Sequence, residues 1–288
     1  MGKKNVLIIG ATGMIGGKIV KSFLNNNFHV KILTRDKQKA RKKLDENYDF
    51  FEGDVLDKNT LVGLFKDIDG VYVHLNDFDE STLYKTFVEG VGNIVELAKF
   101  HKVNRFIFRS ASIVREQNKW FPSVAARLES EKLIRNSKLE YTILKPGYFM
   151  EVLKFFLRGN QASIIGEGKN RYNWLSGDEY ADEVIKVYNN KSYTGETLYL
   201  FGPEALRLEE ALQKYCNVLK PNARFNSLTH DMMWSISRFS NNKKMGFMAD
   251  FIKFMDSSSD NFEEAGKNDN VLMLASTIDQ WLEQYVTL

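Results

Sequence analysis

Four apolar residues in an unbroken row, Val6-Leu7-Ile8-Ile9, run straight into Gly10-Ala11-Thr12-Gly13-Met14-Ile15-Gly16. A short apolar run bounded by turn residues reads as a strand buried on both faces. The pattern predicts a strand over residues 5–9 and a helix over about 14–25, stopped by Asn25-Asn26-Asn27. Further strands are expected at 29–33, 48–52, 71–75, 105–108 and 141–144. Between them lie a basic helix from about Asp36 and a segment with Leu61, Leu64, Phe65 and Ile68 at helical spacing. A long helix follows, capped by Ser81, with the apolar face Leu83, Phe87, Val91, Ile94, Val95 and Ala98. Another covers about 123–136.

Strand and helix alternating through short links is the pattern of a parallel sheet covered on both faces. The fold class read from it is α/β, a Rossmann-type doubly wound parallel sheet over residues 1–150. After Pro146 the rhythm breaks, and residues 151–288 read as a smaller, mainly helical C-terminal lobe. A helix at 178–188 and a strand at 197–200 are expected to return to the sheet, and a helix at 277–285 ends the chain. The Ser-rich segment 257–270 reads as a mobile loop.

Composition narrows the classes. The 288 residues are 43% hydrophobic and 27% charged, enough for a large core. A formal net charge of +3, spread along the chain, does not point to nucleic acid. One cysteine, Cys216, excludes an internal disulfide framework and reads as a small apolar helix residue. Four histidines lack metal-ligand spacing, so no metal is expected. Lys3-Lys4 precede an apolar run too short for a signal peptide, and Met1-Gly2 lacks a Ser or Thr at position six for myristoylation. No stretch is long enough to span a bilayer. A cytoplasmic protein is expected, with a small-molecule substrate and neither membrane nor nucleic-acid partner.

The glycines carry the chemistry. Gly10 suits the tight turn, Gly13 a close approach of backbone to a diphosphate, and Gly16 close packing of the first helix. The amides from Thr12 through Met14 and Ile15 then face an anion, with the helix dipole behind them. At the end of the second strand stands Thr34-Arg35-Asp36. An acidic residue there would hydrogen-bond a ribose and a basic one would clamp a 2′-phosphate. Arg35, followed by five cations through Lys43, favours NADP (NADPH) over NAD; an inward Asp36 would reverse the preference. Asp54, beside Val55, can accept from an adenine amino group, since Asp57 is the better helix cap. His74 and Asn76 should lie beside the diphosphate or ribose, with His74 either structural or catalytic.

The chain resembles the NmrA-like proteins, a branch of the atypical short-chain dehydrogenase/reductases, over essentially its whole length. The segments are Gly10–Gly16, Leu33-Thr-Arg-Asp36, Gly53-Asp54, the stretch 105–112 and Glu140-Tyr-Thr-Ile-Leu-Lys-Pro-Gly-Tyr-Phe-Met150, where Lys145 replaces the usual arginine. The resemblance implies that Pro146, Gly147, Tyr148 and Phe149 lie against a nicotinamide. Gly147 fits that reading as a turn a flat ring can approach, and Tyr148 and Phe149 as apolar walls. It also places the Tyr-x-x-x-Lys pair of most short-chain reductases at Ser123 and Arg127. Serine is too weak an acid to replace a tuned phenol. Arginine stays charged, though it can hold a ribose. Ser110 and Ser112 remain near the cofactor. Ser112 could bond a substrate carbonyl or simply satisfy its loop, and Tyr148 and His74 are fallback proton donors.

Without a positioned acid, hydride transfer to an ordinary carbonyl is disfavoured. A quinone takes protons from water and needs only a cofactor and a flat apolar pocket, for which Phe155, Phe156, Tyr172 and Trp174 are candidates, as they are for core. Two functions follow, an NADPH-dependent reductase of quinones or similar planar electrophiles, or a catalytically inactive NADP(H) sensor acting through a protein partner; a third, an isomerase or epimerase using bound cofactor, has the missing proton donor against it.

Overall fold

The structure, a computed structural model, describes residues 3–44, 48–258 and 270–286. Met1-Gly2 and most of the polar segment 257–270 lie outside the described residues. The chain divides into two compact units, Met1–Asp77 with Ser81–Lys145 and Tyr180–Leu198, and Phe78–Glu80 with Pro146–Glu179 and Tyr199–Leu288.

The strands of the first unit are β1 (Asn5–Ile9), β2 (His29–Thr34), β3 (Asp49–Glu52), β4 (Gly70–Val73), β5 (Arg105–Arg109) and β6 (Tyr141–Pro146). They lie in the order β6-β5-β4-β1-β2-β3, and every neighbouring pair is parallel. The second unit holds β7 (Leu157–Arg158), β8 (Gln161–Ile165), β9 (Arg171–Asn173), the end of β10 (Thr197–Phe201), β11 (Ala205–Arg207), β12 (Arg224–Leu228) and β13 (Asn270–Met273). Strand order makes β10 the neighbour of β6 and β13 that of β10, an eight-stranded Rossmann-type sheet. The helices are α1 (Gly16–Asn25), α2 (Lys37–Leu44), α3 (Glu80–Tyr84), α4 (Val91–Phe100), α5 (Pro122–Arg135), α6 (Gly177–Asn189), α7 (Leu208–Leu219), α8 (His230–Phe239), α9 (Lys243–Ser257) and α10 (Ile278–Val286).

Burial explains the elements. Val6 through Ile9 are almost wholly buried, as a central parallel strand requires. Leu7, Val71, Phe106, Ile94 and Val95 share one core cluster, so α4 covers the face the strands expose. Pro122 opens α5 at its first turn, where its missing N–H costs nothing.

Two expectations need correction. Leu61, Leu64, Phe65 and Ile68 are all buried, yet they lie on a 3-10 turn (Lys58–Leu61) and irregular turns rather than one helix. Gly63 at φ +81° and Asp67 at φ +60° leave the right-handed region, which stops helical propagation. Spacing reported burial there, not helix. Ser81 does not cap its helix, because α3 begins at Glu80; a π turn, Lys85–Gly90, then joins α3 to α4.

Two buried cations fasten the sheet. Arg105 donates to the carbonyls of Val187 (3.0 Å) and Tyr188 (3.3 Å) in the last turn of α6, and to Thr142 Oγ1 (2.7 Å). A guanidinium at a helix C-terminus also offsets the dipole. Glu131 on α5 lies 3.1 Å from Lys145 on β6 and 2.9 Å from Arg135, and accepts from the Ser110 hydroxyl at 2.6 Å. Lys145 also donates to the Val114 carbonyl (2.6 Å). Breaking a buried pair costs more than replacing both partners. Lys145→Met should therefore lower unfolding free energy by about 3–5 kcal/mol. The double variant Lys145→Met with Glu131→Gln should lose clearly less than the two single losses combined, as urea denaturation will measure. Additive losses would mean that the pair is not coupled.

Candidate functional site

Strand order fixes where a ligand can enter the first unit. The chain leaves β1 for β2 and β3 on one side, then returns to β4 on the other. Open α/β sheets bind ligands at the C-terminal strand ends where the order reverses, here between β1 and β4. The glycine loop occupies that point. Gly10 has φ +93°, and a Cβ there would lie 1.9 Å from the His74 carbonyl oxygen. A Cβ at Gly16 would lie 2.3 Å from the carbonyl oxygens of Gly10 and Ala11, so this glycine serves the loop's own tight closure. Gly13 donates its N–H to the Gly10 carbonyl (3.0 Å). Among the described residues, the amides of Met14, Ile15 and Gly16 have no acceptor. Ile15 has a fully buried side chain, so only its backbone can meet a ligand; Thr12 and Met14 are half-buried. A cradle closed by glycine, with unpaired amides at a helix start, fits a dinucleotide diphosphate.

At the end of β2, Arg35 and Asp36 are both exposed. Asp36 Oδ1 accepts from the Lys39 N–H at 2.9 Å and thus caps α2, and Glu52 accepts from Lys37 at 3.1 Å. The carboxylate that could compete with Arg35 is turned to its own helix. Asp57 caps the next turn through Asn59 (3.0 Å). Asp54 is not left free as expected: its Oδ1 accepts from Leu56 at 3.0 Å, a short Asx turn. Val55 packs where a Cβ on Gly90 would stand, and its carbonyl accepts from Asn93 (2.8 Å).

The ends of β4 and β5 bring His74, Arg109 and Arg127 together. His74 is buried, and Arg109 donates to its Nε2, which fixes the imidazole with its proton on Nδ1. Burial, then Arg109, then Arg127 hold the His74 pKa well below the ordinary value, against a smaller upward pull from exposed Asn76. His74 is therefore neutral at physiological pH and a poor acid. Arg127 stacks over the Phe87 ring at 4.5 Å. Burial and Arg109 push it down to about 9 against the attraction of Glu131, so it remains a cation near neutrality. Ser123, one turn before Arg127 on α5, is buried.

Ser110 is fully buried and its hydroxyl is committed to Glu131, so it can offer a cofactor only backbone. Ser112 is buried as well, and its carbonyl accepts from Arg115 Nε at 3.0 Å.

Within the second unit, Pro146 is buried and Gly147 donates to Leu200 (2.9 Å). Half-buried Tyr148 packs on Tyr172, ring centroids 4.3 Å apart, and on Trp174 at 5.5 Å. Phe149 is buried and bridges to Leu175. Trp174 donates to the Leu206 carbonyl (3.0 Å) and Tyr172 to that of Met255 (3.4 Å), the bonding of core aromatics. Phe155 is exposed, so the four aromatics considered for one pocket are not one group.

Arg109 and the Glu131–Lys145 pair had no assigned role in the sequence reading. The signal for Arg109 was visible, a charge ending the apolar run Phe106-Ile107-Phe108.

Comparison with known proteins agrees with this geometry. A family model described as NAD(P)H-binding matches residues 10–155. The NAD(P)H azoreductase of Xenophilus azovorans is 23% identical over 208 residues, 70% of this chain and 69% of that protein. Photosystem II assembly factor Ycf39 of Guillardia theta is 26% identical over 218 residues, 73% and 68% of the two chains. The binary complex of leucoanthocyanidin reductase with NADPH from Vitis vinifera superposes with a TM-score of 0.72 at 15% identity, covering 99% of this chain and 100% of that one.

The depressed pKa of His74 has a consequence for stability. The unfolded chain binds a proton at this residue more readily than the folded one, so its stabilising share is complete above pH 6.5 and declines as pH falls below it. Its contribution should fall by up to about 1.4 kcal/mol per pH unit on acidification. Urea denaturation at pH 7 and pH 5 should therefore show a smaller acid loss for His74→Asn than for the wild type. Equal losses would refute a neutral His74.

Proposed function

The chain belongs to the NAD(P)H-binding family, in the NmrA-like branch of the atypical short-chain dehydrogenase/reductases, and from that premise we propose an NADPH-dependent reductase of quinones or similar planar electrophiles. The observation that carries this reading is the chemistry beside His74. Ser123 is an alcohol, Arg127 a cation and His74 a neutral imidazole next to two guanidinium groups. None is a ready proton donor near neutral pH. An acceptor that needs a positioned acid is poorly served, while a quinone or another conjugated electrophile takes its protons from water.

Each residue has a stated part. The amides of Met14, Ile15 and Gly16 hold the diphosphate, and Thr12 and Gly13 shape the turn. Arg35, backed by the cations of α2, takes the 2′-phosphate, with Asp36 occupied as a helix cap. Asp54 keeps a second carboxylate oxygen for the adenine amino group, beside Val55. Arg127 holds the nicotinamide ribose, with His74 and Asn76 next to it. The family resemblance assigns Pro146, Gly147, Tyr148 and Phe149 to the nicotinamide, and Ser112 to the substrate oxygen. Bound there, the reduced nicotinamide supplies the hydride. The azoreductase relative supports a planar, conjugated acceptor.

The same chemistry at Ser123, Arg127 and His74 favours a second reading, a protein that binds NADP(H) without chemistry and acts through a partner, and the assembly-factor relative supports it. One experiment separates the two. The purified protein is titrated with NADPH and then given a panel of small quinones, while absorbance near about 340 nm follows the reduced cofactor. Turnover supports the reductase, and tight NADPH binding with no turnover on any quinone supports the sensor. Arg35→Asp should weaken NADPH by about 10–100-fold while changing NADH little. Equal losses for the two nucleotides would overturn the NADP assignment.

A further inference from the structure

Helix α8 carries two apolar stripes, and only one is covered. Met233 is buried in the second unit, whereas Met232, Ile236 and Phe239, spaced four and three residues apart, are exposed by 48%, 44% and 93%. The turn that follows is a formed surface. Ser237 donates to the Asn242 carbonyl (2.8 Å), Ser240 to that of Ile236 (2.7 Å), and Asn242 caps α9 by accepting from Met245 (3.2 Å). Arg238 stacks over Trp234 at 5.7 Å, and the Trp234 indole donates to Asp250 at 2.9 Å.

Along the chain, the charges flanking this apolar tip have one sign. Arg238, Lys243 and Lys244 are exposed, and no carboxylate occurs from residue 232 to 249. The flanking acids are Asp231 and Asp250, and Asp250 is bonded to Trp234. The exposed apolar surface amounts to about 400 Å². A protein partner covering it would bury about 800 Å² in all, counting both sides, below the roughly 1,200 Å² or more of a stable protein interface. It suits reversible docking of an amphipathic helix at a lipid interface, with aromatic and aliphatic side chains inserted and cations at the headgroups. None of the helices among the described residues is long and apolar enough to cross a membrane, so the contact would be peripheral.

We propose that the α8–α9 turn is a docking surface for anionic lipid: Phe239, Ile236 and Met232 enter the interface, and Arg238, Lys243 and Lys244 pair with negative headgroups. This goes beyond the reductase reading and stands without it. Each cation near an anionic leaflet is worth about fivefold in partitioning, so the three together give about 100-fold.

The test is co-sedimentation of the whole protein with vesicles of phosphatidylcholine, either alone or with about 30 mol% phosphatidylglycerol. The proposal expects binding to the anionic vesicles at least about tenfold above that to the neutral ones, weakened as salt is raised. The double variant Lys243→Glu with Lys244→Glu should lose about 10–100-fold, and Phe239→Ser about tenfold, each with an unchanged urea midpoint. No binding to anionic vesicles, equal binding to neutral ones, or binding untouched by both variants overturns the proposal. So does concentration-dependent dimerisation in size exclusion that Phe239→Ser abolishes in the absence of vesicle binding, which would make the tip a contact between copies of this chain.

Discussion

The contact on which the site depends is between two backbones. The Gly10 Cα presses on the His74 carbonyl so closely that no side chain fits, and the His74 N–H donates to the Ile9 carbonyl at 2.9 Å. The first joins the loop to the end of β4, and the second continues the ladder between β1 and β4. Together they place the turn, the start of α1 and the His74 imidazole in one corner of the first unit. The positive φ of Gly10 is what lets the chain turn there, and any residue with a Cβ would be excluded twice, by strain and by collision. The unpaired amides of Met14 and Ile15 follow from the same geometry, because a loop this tight cannot fold back to satisfy them.

His74 then sets the electrostatics at the strand ends. A neutral ring is the form that tolerates burial between two guanidinium groups, since a third positive charge would add repulsion to desolvation. Neutral His74 can therefore accept from Arg109 at Nε2. The Arg127 side chain lies on the face of Phe87, where the aromatic quadrupole lowers the cost of a half-buried cation. Nearby, Glu131 collects Lys145, Arg135 and the Ser110 hydroxyl, so the carboxylate is already engaged. Cations and a neutral imidazole at this place suit holding an anionic or hydroxylic ligand better than delivering a proton to it.

Much of the first unit was legible because its signals are local. An apolar run such as Val6–Ile9 can only be a buried strand in this context, and the glycine spacing names the turn that follows. The boundaries of α1, α5 and α6 fall within two residues of the periodic reading. Where the reading failed, tertiary packing had replaced local structure. Leu61, Leu64, Phe65 and Ile68 are buried without a helix because the core needs their side chains and not a particular backbone between them. Ser110 is expected near the cofactor, and its hydroxyl is bonded to a glutamate that lies 21 positions away on α5. The order Arg35-Asp36 does not say where the Asp36 carboxylate points; the structure shows it accepting from the Lys39 N–H as the cap of α2.

The net charge of +3 conceals the remaining information, because charge acts over a Debye length of about 8–10 Å and not over a chain. Helix α2 carries Lys37, Lys39, Arg41, Lys42 and Lys43 with no carboxylate among its residues. The α8–α9 turn carries Arg238, Lys243 and Lys244 with none for several residues either side. The two differ in what accompanies the cations. The exposed face of α2 is polar, as suits a phosphate that stays in water. At the second patch the cations flank Phe239 in the chain, an aromatic ring in solvent, which water alone does not favour. Cations without exposed apolar surface answer a soluble anion. Cations next to an exposed aromatic answer an anionic interface with an apolar interior, and the composition of the chain averages the two into near neutrality.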